Sequence, residues 1–509
     1  MTSRTWAVAL TGIAGHMVEV EADLTAHTPA FELIGMADRA LGEAVRRVRN
    51  ACSNSGFELS PRRLTVNLSP ASLPKTGSAF DLAIAVAVAA TETPMDEESL
   101  ARTVHLGELG LDGRLRPVPG VLPALHAARR AGFRRAVVPF ANRAEAELVP
   151  GLEVHALGTL AQVALLHGAE LDDLPDVEPI PAPPAVARAA VEPELQDVVG
   201  QDDAVEALIV AAAGGHHMLL SGPPGAGKTM LARRLPGLLP DLDDDAALEV
   251  ASVASLTGRA VHALDRRPPF VAPHHSASLA ALIGGGSRQV RPGAIVCAHA
   301  GLMFLDEAAE APRAVLDALR QPLESGSIEI DRAEFTARFP ARFQLVLATN
   351  PCPCGSYGVV GEDCICPPAA IRRYAARLSG PLRDRIDVEL HVRRVAAAVV
   401  AEHERGAVST AQARERVVGA RERAAHRWRG TPWRINAQVP GDWLRSGGHR
   451  LAMQSRAPLD RALQRGQLTL RGYDRVLRLA WSVADLDGAD RPTLDHVGRA
   501  LYLKRGWAA

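Results

Sequence analysis

The sequence predicts an α/β multidomain protein: a mixed N-terminal domain, a nucleotide-binding core on a parallel sheet, and a helical C-terminal domain. Three observations carry this. Gly222-Pro223-Pro224-Gly225-Ala226-Gly227-Lys228-Thr229 fits the phosphate-cradle pattern G-x-x-x-x-G-K-[ST] between an apolar strand-like run and a helical run. Strand-like and helical runs alternate through the first third of the chain. From about residue 395 onward the pattern is helical, with few strand signals.

Taken in order, residues 1–170 hold strand-like runs at Leu64–Leu68 and Ala136–Pro139, with helical runs at Ala40–Asn50, Leu82–Ala90 and Val121–Arg130. Residues 171–192 include Leu174-Pro175-Asp176-Val177-Glu178-Pro179-Ile180-Pro181-Ala182-Pro183-Pro184, a stiff extended linker by composition. The nucleotide motifs fall in 193–394, and 395–509 form a helical lid. The 509 residues suffice for roughly three domains. With 47% hydrophobic and 23% charged residues, packed cores are expected throughout. A net charge of −1 offers no bulk field for nucleic acid, so any such contact must be a local patch. No apolar run reaches membrane length, and the start lacks the pattern of a signal peptide. Six cysteines, four within fifteen residues, do not form a secreted disulfide framework. These features point to the cytoplasm and to no membrane partner.

The cradle's glycines let backbone N–H groups approach phosphate oxygens, and the following helix adds its positive end. Lys228 would reach the β- and γ-phosphates of ATP, and Thr229 would hold Mg²⁺. The apolar run Leu302-Met303-Phe304-Leu305 ends in Asp306-Glu307, suited to Mg²⁺ coordination and to polarising the attacking water. A further apolar run, Phe343–Ala348, ends at Thr349-Asn350. Asn350 can orient water and sense the γ-phosphate, or simply start the Pro351 turn. In Ser379-Gly380-Pro381-Leu382-Arg383-Asp384-Arg385-Ile386-Asp387, Arg385 is the candidate finger from a neighbouring subunit and Arg383 the runner-up; an intramolecular Arg–Asp pair is the alternative. Arg471 would open a lid helix and approach the phosphates, while Arg478, two turns on, reads as a structural or interface charge.

Cys352-x-Cys354 and Cys364-x-Cys366 offer four thiolates on one compact loop, compatible with a closed, structural Zn²⁺ site or with free or redox-active thiols. Asp306 follows Lys228 by 78 positions, room for an insert around Pro273–Gly293 rich in Gly, His and Arg. Ile328 and Ile330, then Phe335, Ala337 and Phe339, alternate with polar residues, predicting a hairpin turning near Asp331-Arg332-Ala333-Glu334. Residues 410–429 carry six arginines and Trp428. They read as a nucleic-acid face or, given the interleaved Glu415 and Glu422, as a solvated or intersubunit face.

The ordered set of cradle, Asp-Glu strand, Asn-ended strand, finger and lid arginines resembles an AAA+ ATPase with a P-loop core. His274-His275-Ser276-Ala277-Ser278, Gly284-Gly285-Gly286, Arg291-Pro292-Gly293 and Arg320-Gln321-Pro322-Leu323-Glu324 resemble the magnesium-chelatase-like AAA+ proteins. Asn350-Pro351-Cys352-Pro353-Cys354-Gly355 and Leu378-Ser379-Gly380-Pro381-Leu382 are similar to the YifB/ComM type, over essentially the whole chain. Arg383 departs from the pattern, which more often has a second leucine. The resemblance implies a homo-hexameric ring whose hairpin and insert line a pore, making His274, His275 and Arg332 candidate contacts to threaded single-stranded or branched DNA. It implies an ATP-driven motor for helicase or branch-migration work in recombination or natural transformation. The alternative is a chelatase-like ATPase that remodels a protein partner; the N-terminal domain and cysteine loop argue against it, since by this resemblance the chelatase motor matches only the ATPase part. Arg46-Arg47-Val48-Arg49-Asn50, Leu73-Pro74-Lys75-Thr76-Gly77-Ser78-Ala79-Phe80-Asp81-Leu82 and Leu106-Gly107-Glu108 resemble a Lon-protease/ribosomal-S5-like domain. Its Ser-Lys dyad would fall at Ala79 and near Leu122, which implies a domain without proteolysis.

Overall fold

The structure, a computed structural model, describes residues 2–505 apart from 27, 36–38, 172–176, 185–191, 287–289, 332–335, 360–361 and 396–407. Arg332, at the tip of the expected hairpin, lies outside the described residues.

The N-terminal part is a seven-stranded mixed sheet in the order Ala30–Ile34, Arg63–Ser69, Ala14–Thr25, Thr2–Thr11, Thr103–His105, Arg135–Pro139, Glu153–Leu157. Strands Thr2–Thr11 and Ala14–Thr25 pair antiparallel, and the last three run parallel to Thr2–Thr11 and to each other. Helix Asp81–Ala89 is buried along its whole length, which its unbroken small and apolar sequence permits. Its one charge, Asp81, is met by Arg47 from helix Arg39–Asn54 through bonds of 2.6 and 3.0 Å.

The core carries a five-stranded parallel sheet in the order Phe270–Val271, Leu302–Leu305, Gln344–Thr349, Met218–Ser221, Val388–His391. The three strands Leu302–Leu305, Gln344–Thr349 and Met218–Ser221 are nearly wholly buried, as parallel strands covered on both faces should be. Register places Ser221 beside Thr349 and His391, and Leu305 beside Leu347. The cradle, Asp306-Glu307 and Asn350 therefore leave the same carboxyl edge of the sheet, where open α/β sheets bind ligands.

Insert and hairpin both form. The insert contains helix Leu279–Ile283 and a two-stranded pair, Gly284–Gly285 with Arg291–Pro292. Strands Ser327–Asp331 and Thr336–Pro340 pair antiparallel, burying Ile328, Ile330, Ala337 and Phe339. This hairpin packs against the N-terminal sheet: a Cβ at Gly12 would lie 2.1 Å from the Arg338 carbonyl oxygen. A second joint brings helix Val121–Arg130 against helix Asp244–Leu256, with the Gly120 N–H donating to the Ser255 carbonyl at 3.2 Å.

The C-terminal part is helical: Thr410–Arg427, Met453–Gln464, Leu470–Leu486 and Leu494–Arg505 are its long helices. Ser409 and Gln412 form a capping box at the first. Its buried stripe Ala413, Val417, Ala420, Ala424 lies against the Ala-rich helix Asp202–Gly214, and small residues allow that close approach. One hydrophobic cluster runs without a break from the core strands into these helices.

The basic stretch 410–429 is neither a nucleic-acid face nor a solvated one over most of its length. Arg416 pairs with Glu206 at 2.8 Å, Arg414 with Asp241 at 2.7 Å, and Arg427 with Asp485. Arg421 donates to the Ala212 carbonyl at 2.7 Å, and Arg423 to that of Asp485 at 2.8 Å. Trp428 is fully buried and donates its indole N–H to Asn436 Oδ1 at 3.0 Å. Arg414, Arg416 and Arg421 staple the lid to the core, while Arg423, Arg427 and Trp428 tie the lid's own helices together.

Candidate nucleotide site and cysteine cluster

The cradle opens helix Lys228–Ala232. Lys228 is buried, and its Nζ donates to the carbonyls of Gly222 (2.7 Å) and Pro223 (2.9 Å) and to Asn350 Oδ1 (3.0 Å). Burial pushes the ammonium below the ordinary lysine value, against the pull of Asp306 and Glu307. Thr229 Oγ1 donates to Asp306 Oδ2 at 2.6 Å. Glu307 is exposed and follows in a left-handed conformation, φ +50°, uncommon for a residue with a side chain. Cradle, Asp-Glu strand and Asn-ended strand thus meet at one point through direct side-chain contacts.

His275 Nδ1 lies 3.0 Å from Glu307 Oε2, and His274 packs on His275 with ring centroids 4.1 Å apart. Both were candidates for nucleic-acid contact. The insert brings His275 to Glu307, at the acidic end of the candidate nucleotide site, and leaves His274 exposed beside it.

The arginines separate. Arg385 is buried: its guanidinium pairs with Glu324 and donates to the Pro381 carbonyl. The expected free finger is therefore held in an intramolecular ion pair, with Glu324 and not the expected Asp. Arg383 is half exposed and pairs with Glu389 at 2.7 Å. Arg471 is exposed in the first turn of helix Leu470–Leu486 and has no ion pair among the described residues. On the same helix, Arg475 does reach the core, on Asp387 at 2.6 Å. Arg478 donates to the Val439 carbonyl, a structural role. Asp387 also accepts the His217 N–H at 3.0 Å. Burial alone would raise its carboxyl, but Arg475 and His216 hold it well below the usual carboxylate range. Arg394, unmarked by any motif, donates to the Pro224 carbonyl inside the cradle at 3.0 Å. Nothing in its spacing announces this; only the turn after strand Val388–His391 brings it there.

The four cysteines converge. All four sulfurs lie within 4.8 Å of one another, with Cys352–Cys354 at 3.3 Å, Cys354–Cys364 at 3.6 Å and Cys352–Cys364 at 3.7 Å. Tetrahedral Zn²⁺ with bonds of about 2.3 Å places its sulfurs about 3.8 Å apart, so the donor set fits that ion. Cys52 and Cys297 lie elsewhere, and burial pushes the Cys52 thiol up to about 12.

In the N-terminal part, Ala79 and Leu122, at and near which the resemblance would put a Ser-Lys dyad, carry neither functional group. Ser78 Oγ donates to Glu108, and the Nζ of the fully buried Lys75 is spent on the carbonyls of Gly35, Leu68 and Pro70.

Family models match nearly the whole chain: magnesium chelatase, subunit ChlI, over 194–400; subunit ChlI of Mg-chelatase over 20–142; and magnesium chelatase, subunit ChlI C-terminal, over 407–504. The competence protein ComM of Haemophilus influenzae is 40% identical over 493 residues, 96% of this chain and 95% of its own. The chain belongs to the YifB/ComM-like group of the magnesium-chelatase family. An uncharacterized protein of Mycobacterium tuberculosis, Rv2897c, is 48% identical over 99% of this chain and 98% of its own. The uncharacterized protein YifB of Escherichia coli is 37% identical over 97% and 95%. A shorter likeness, 29% over 181 residues and 32% of this chain, is to the Lon protease of Salinispora arenicola, of which it spans 23%. Family and fold make the chain an AAA+ ATPase, for which ATP and Mg²⁺ follow. The model over 20–142 carries the chelatase description too, so an N-terminal domain does not by itself separate this chain from a chelatase motor. Among the described residues no helix is long and apolar enough to cross a membrane.

Proposed function

We propose that this protein is an ATP-driven ring motor acting on DNA in the cytoplasm. The observation that carries the ATPase site is the convergence of Lys228 with Asn350 and of Thr229 with Asp306 at one sheet edge. In this reading Gly222–Thr229 cradle the phosphates, and Lys228 neutralises charge between the β- and γ-phosphates. Thr229 and Asp306 hold Mg²⁺, Glu307 takes a proton from the attacking water, and Asn350 orients that water. An arginine from the next protomer of a hexamer completes the site. Arg385 serves if it leaves Glu324, whereas Arg383 needs only to leave an exposed pair. Arg471, exposed in the first turn of its helix and without an ion pair among the described residues, is the lid residue assigned to the same nucleotide. Cys352, Cys354, Cys364 and Cys366 hold Zn²⁺ as a structural ion. Residues 1–170 form a Lon-like domain without protease activity, joined by 171–192 to the motor 193–394 and the lid 395–509.

DNA as the substrate is supported by kinship with a protein named for competence and by the hairpin and insert on the core. The decisive measurement is ATP turnover of the purified protein with and without single-stranded, forked and four-way DNA. Stimulation by one of these, with binding that weakens as salt rises, is the expected result. Absence of both binding and stimulation at low salt rejects the DNA reading. The chelatase-like alternative, favoured by the family models' own descriptions, then remains, and its readout is Mg²⁺ insertion into a porphyrin with a partner protein.

A further inference from the structure

The cysteine loop and the phosphate loop touch. Gly355, directly after Cys354, takes φ +87°, and a Cβ there would lie 2.4 Å from Pro224 Cδ. On the other side, Arg394 Nε donates to the Pro224 carbonyl at 3.0 Å. The same guanidinium pairs with Glu362, which accepts the Ser356 hydroxyl at 2.8 Å. Pro224 therefore sits between Gly355 and Arg394, and both belong to or hold on to the segment bounded by the four cysteines. That segment starts two residues after Asn350, whose side chain accepts from Lys228.

Four sulfurs this close repel one another once ionised. A bound ion neutralises the thiolates and ties the two cysteine pairs to one another. Whatever orders this loop also orders the wall against which Pro224 is pressed.

We propose that metal occupancy of Cys352, Cys354, Cys364 and Cys366 sets the shape of the phosphate loop, so that zinc loading tunes nucleotide affinity. This rests on the zinc reading above. Coupling between two sites is reciprocal in binding free energy. If the metal tightens nucleotide binding by some factor, nucleotide tightens metal binding by the same factor.

The test uses the full chain, zinc-loaded and chelator-stripped, with folding checked by circular dichroism. The first measurement is the Kd of a fluorescent ATP analogue with Mg²⁺. The second is the affinity for zinc, from competition with a colorimetric chelator, with and without saturating analogue. Stripping is expected to weaken the analogue about tenfold, and analogue to strengthen zinc retention by a matching factor. Glu362→Gln cuts the strap to Arg394 while leaving all four sulfurs, so it should keep its zinc and lose most of the coupling. A stripped, folded protein with an unchanged Kd overturns the coupling and leaves the zinc site standing. A purified protein that neither contains nor takes up zinc overturns both. Should Glu362→Gln not fold, the chelator competition on the unaltered chain decides alone.

Discussion

Lysine occurs only three times in the chain, and all three are turned inward on backbone carbonyls: Lys75 on Gly35 and Leu68, Lys228 on Gly222 and Pro223, Lys504 on Ile386. A compact ammonium with three rotatable donors suits such sites. At Lys228 this places a cation inside the cradle and next to Asn350. Glu307, one residue beyond the Mg²⁺ candidate, is the group whose loss should separate chemistry from binding. Glu307→Gln is expected to lower kcat by about 100-fold or more while the Kd for ATP stays within about twofold, since a general base acts in the transition state. Single-turnover hydrolysis beside an equilibrium titration measures both; normal turnover would remove Glu307 from the site. His275 touches this carboxylate at 3.0 Å. His275→Ala should lower kcat by roughly tenfold through misplacement of Glu307, with DNA affinity unchanged. A variant that lost DNA binding and kept its turnover would return His275 to the pore.

At the scale of elements, the joint that matters is between helix Leu470–Leu486 and the end of the Val388–His391 strand. Arg475 reaches Asp387, which is fully buried and also caps His217. Removing one partner of a buried ion pair costs about 3–5 kcal/mol, because the other charge stays buried and unpaired. Arg475→Ala is expected to lose that much stability to urea at pH 7. The pH dependence follows from sign. Asp387 titrates below its unfolded value, so its contribution is complete above the usual carboxylate range and is lost as pH falls through the lower folded value. The unaltered protein should show no loss from this group between pH 7 and pH 5. In Arg475→Ala burial raises the carboxyl instead, so the gap between variant and parent should narrow on acidification. A gap that stayed constant from pH 7 to pH 4 would show that Asp387 is not the group left unpaired.

For the whole molecule, the question is whether one chain holds a complete site. Arg385 faces its own Glu324, Arg383 its own Glu389, and Arg471 is exposed. A finger supplied by a neighbour is worth about 10³–10⁵ in turnover. Arg385→Ala and Lys228→Ala should each be inactive alone. Mixed, they should regain part of the activity, because some interfaces then pair an intact cradle with an intact arginine. No recovery, with rings still formed by light scattering, would exclude Arg385. The same mixture made with Arg383→Ala separates the two candidates. A ring of the proposed kind would also carry the N-terminal domain, which meets the core at Gly12 on Arg338 and at Gly120 on Ser255.

The nucleotide half of the site was legible in the sequence, because it depends on residues adjacent in the chain. Eight consecutive positions make the cradle, and short apolar runs ending in Asp306-Glu307 and Asn350 declare strands that end in polar groups. Mixed α/β order and a helical C-terminus followed from periodicity in the same way. Tertiary structure decided everything that depends on segments far apart. It brought His275 to Glu307, Arg394 to Pro224 and Arg475 to Asp387, and it set Arg414, Arg416, Arg421, Arg423 and Arg427 on partners within the chain. Such contacts leave no local trace: a charged residue looks the same in the chain whether its partner is water, a ligand or a carboxylate 200 residues away. The cysteine pairs lie between these cases, since their spacing suggested a metal, but only the fold set them against the phosphate loop.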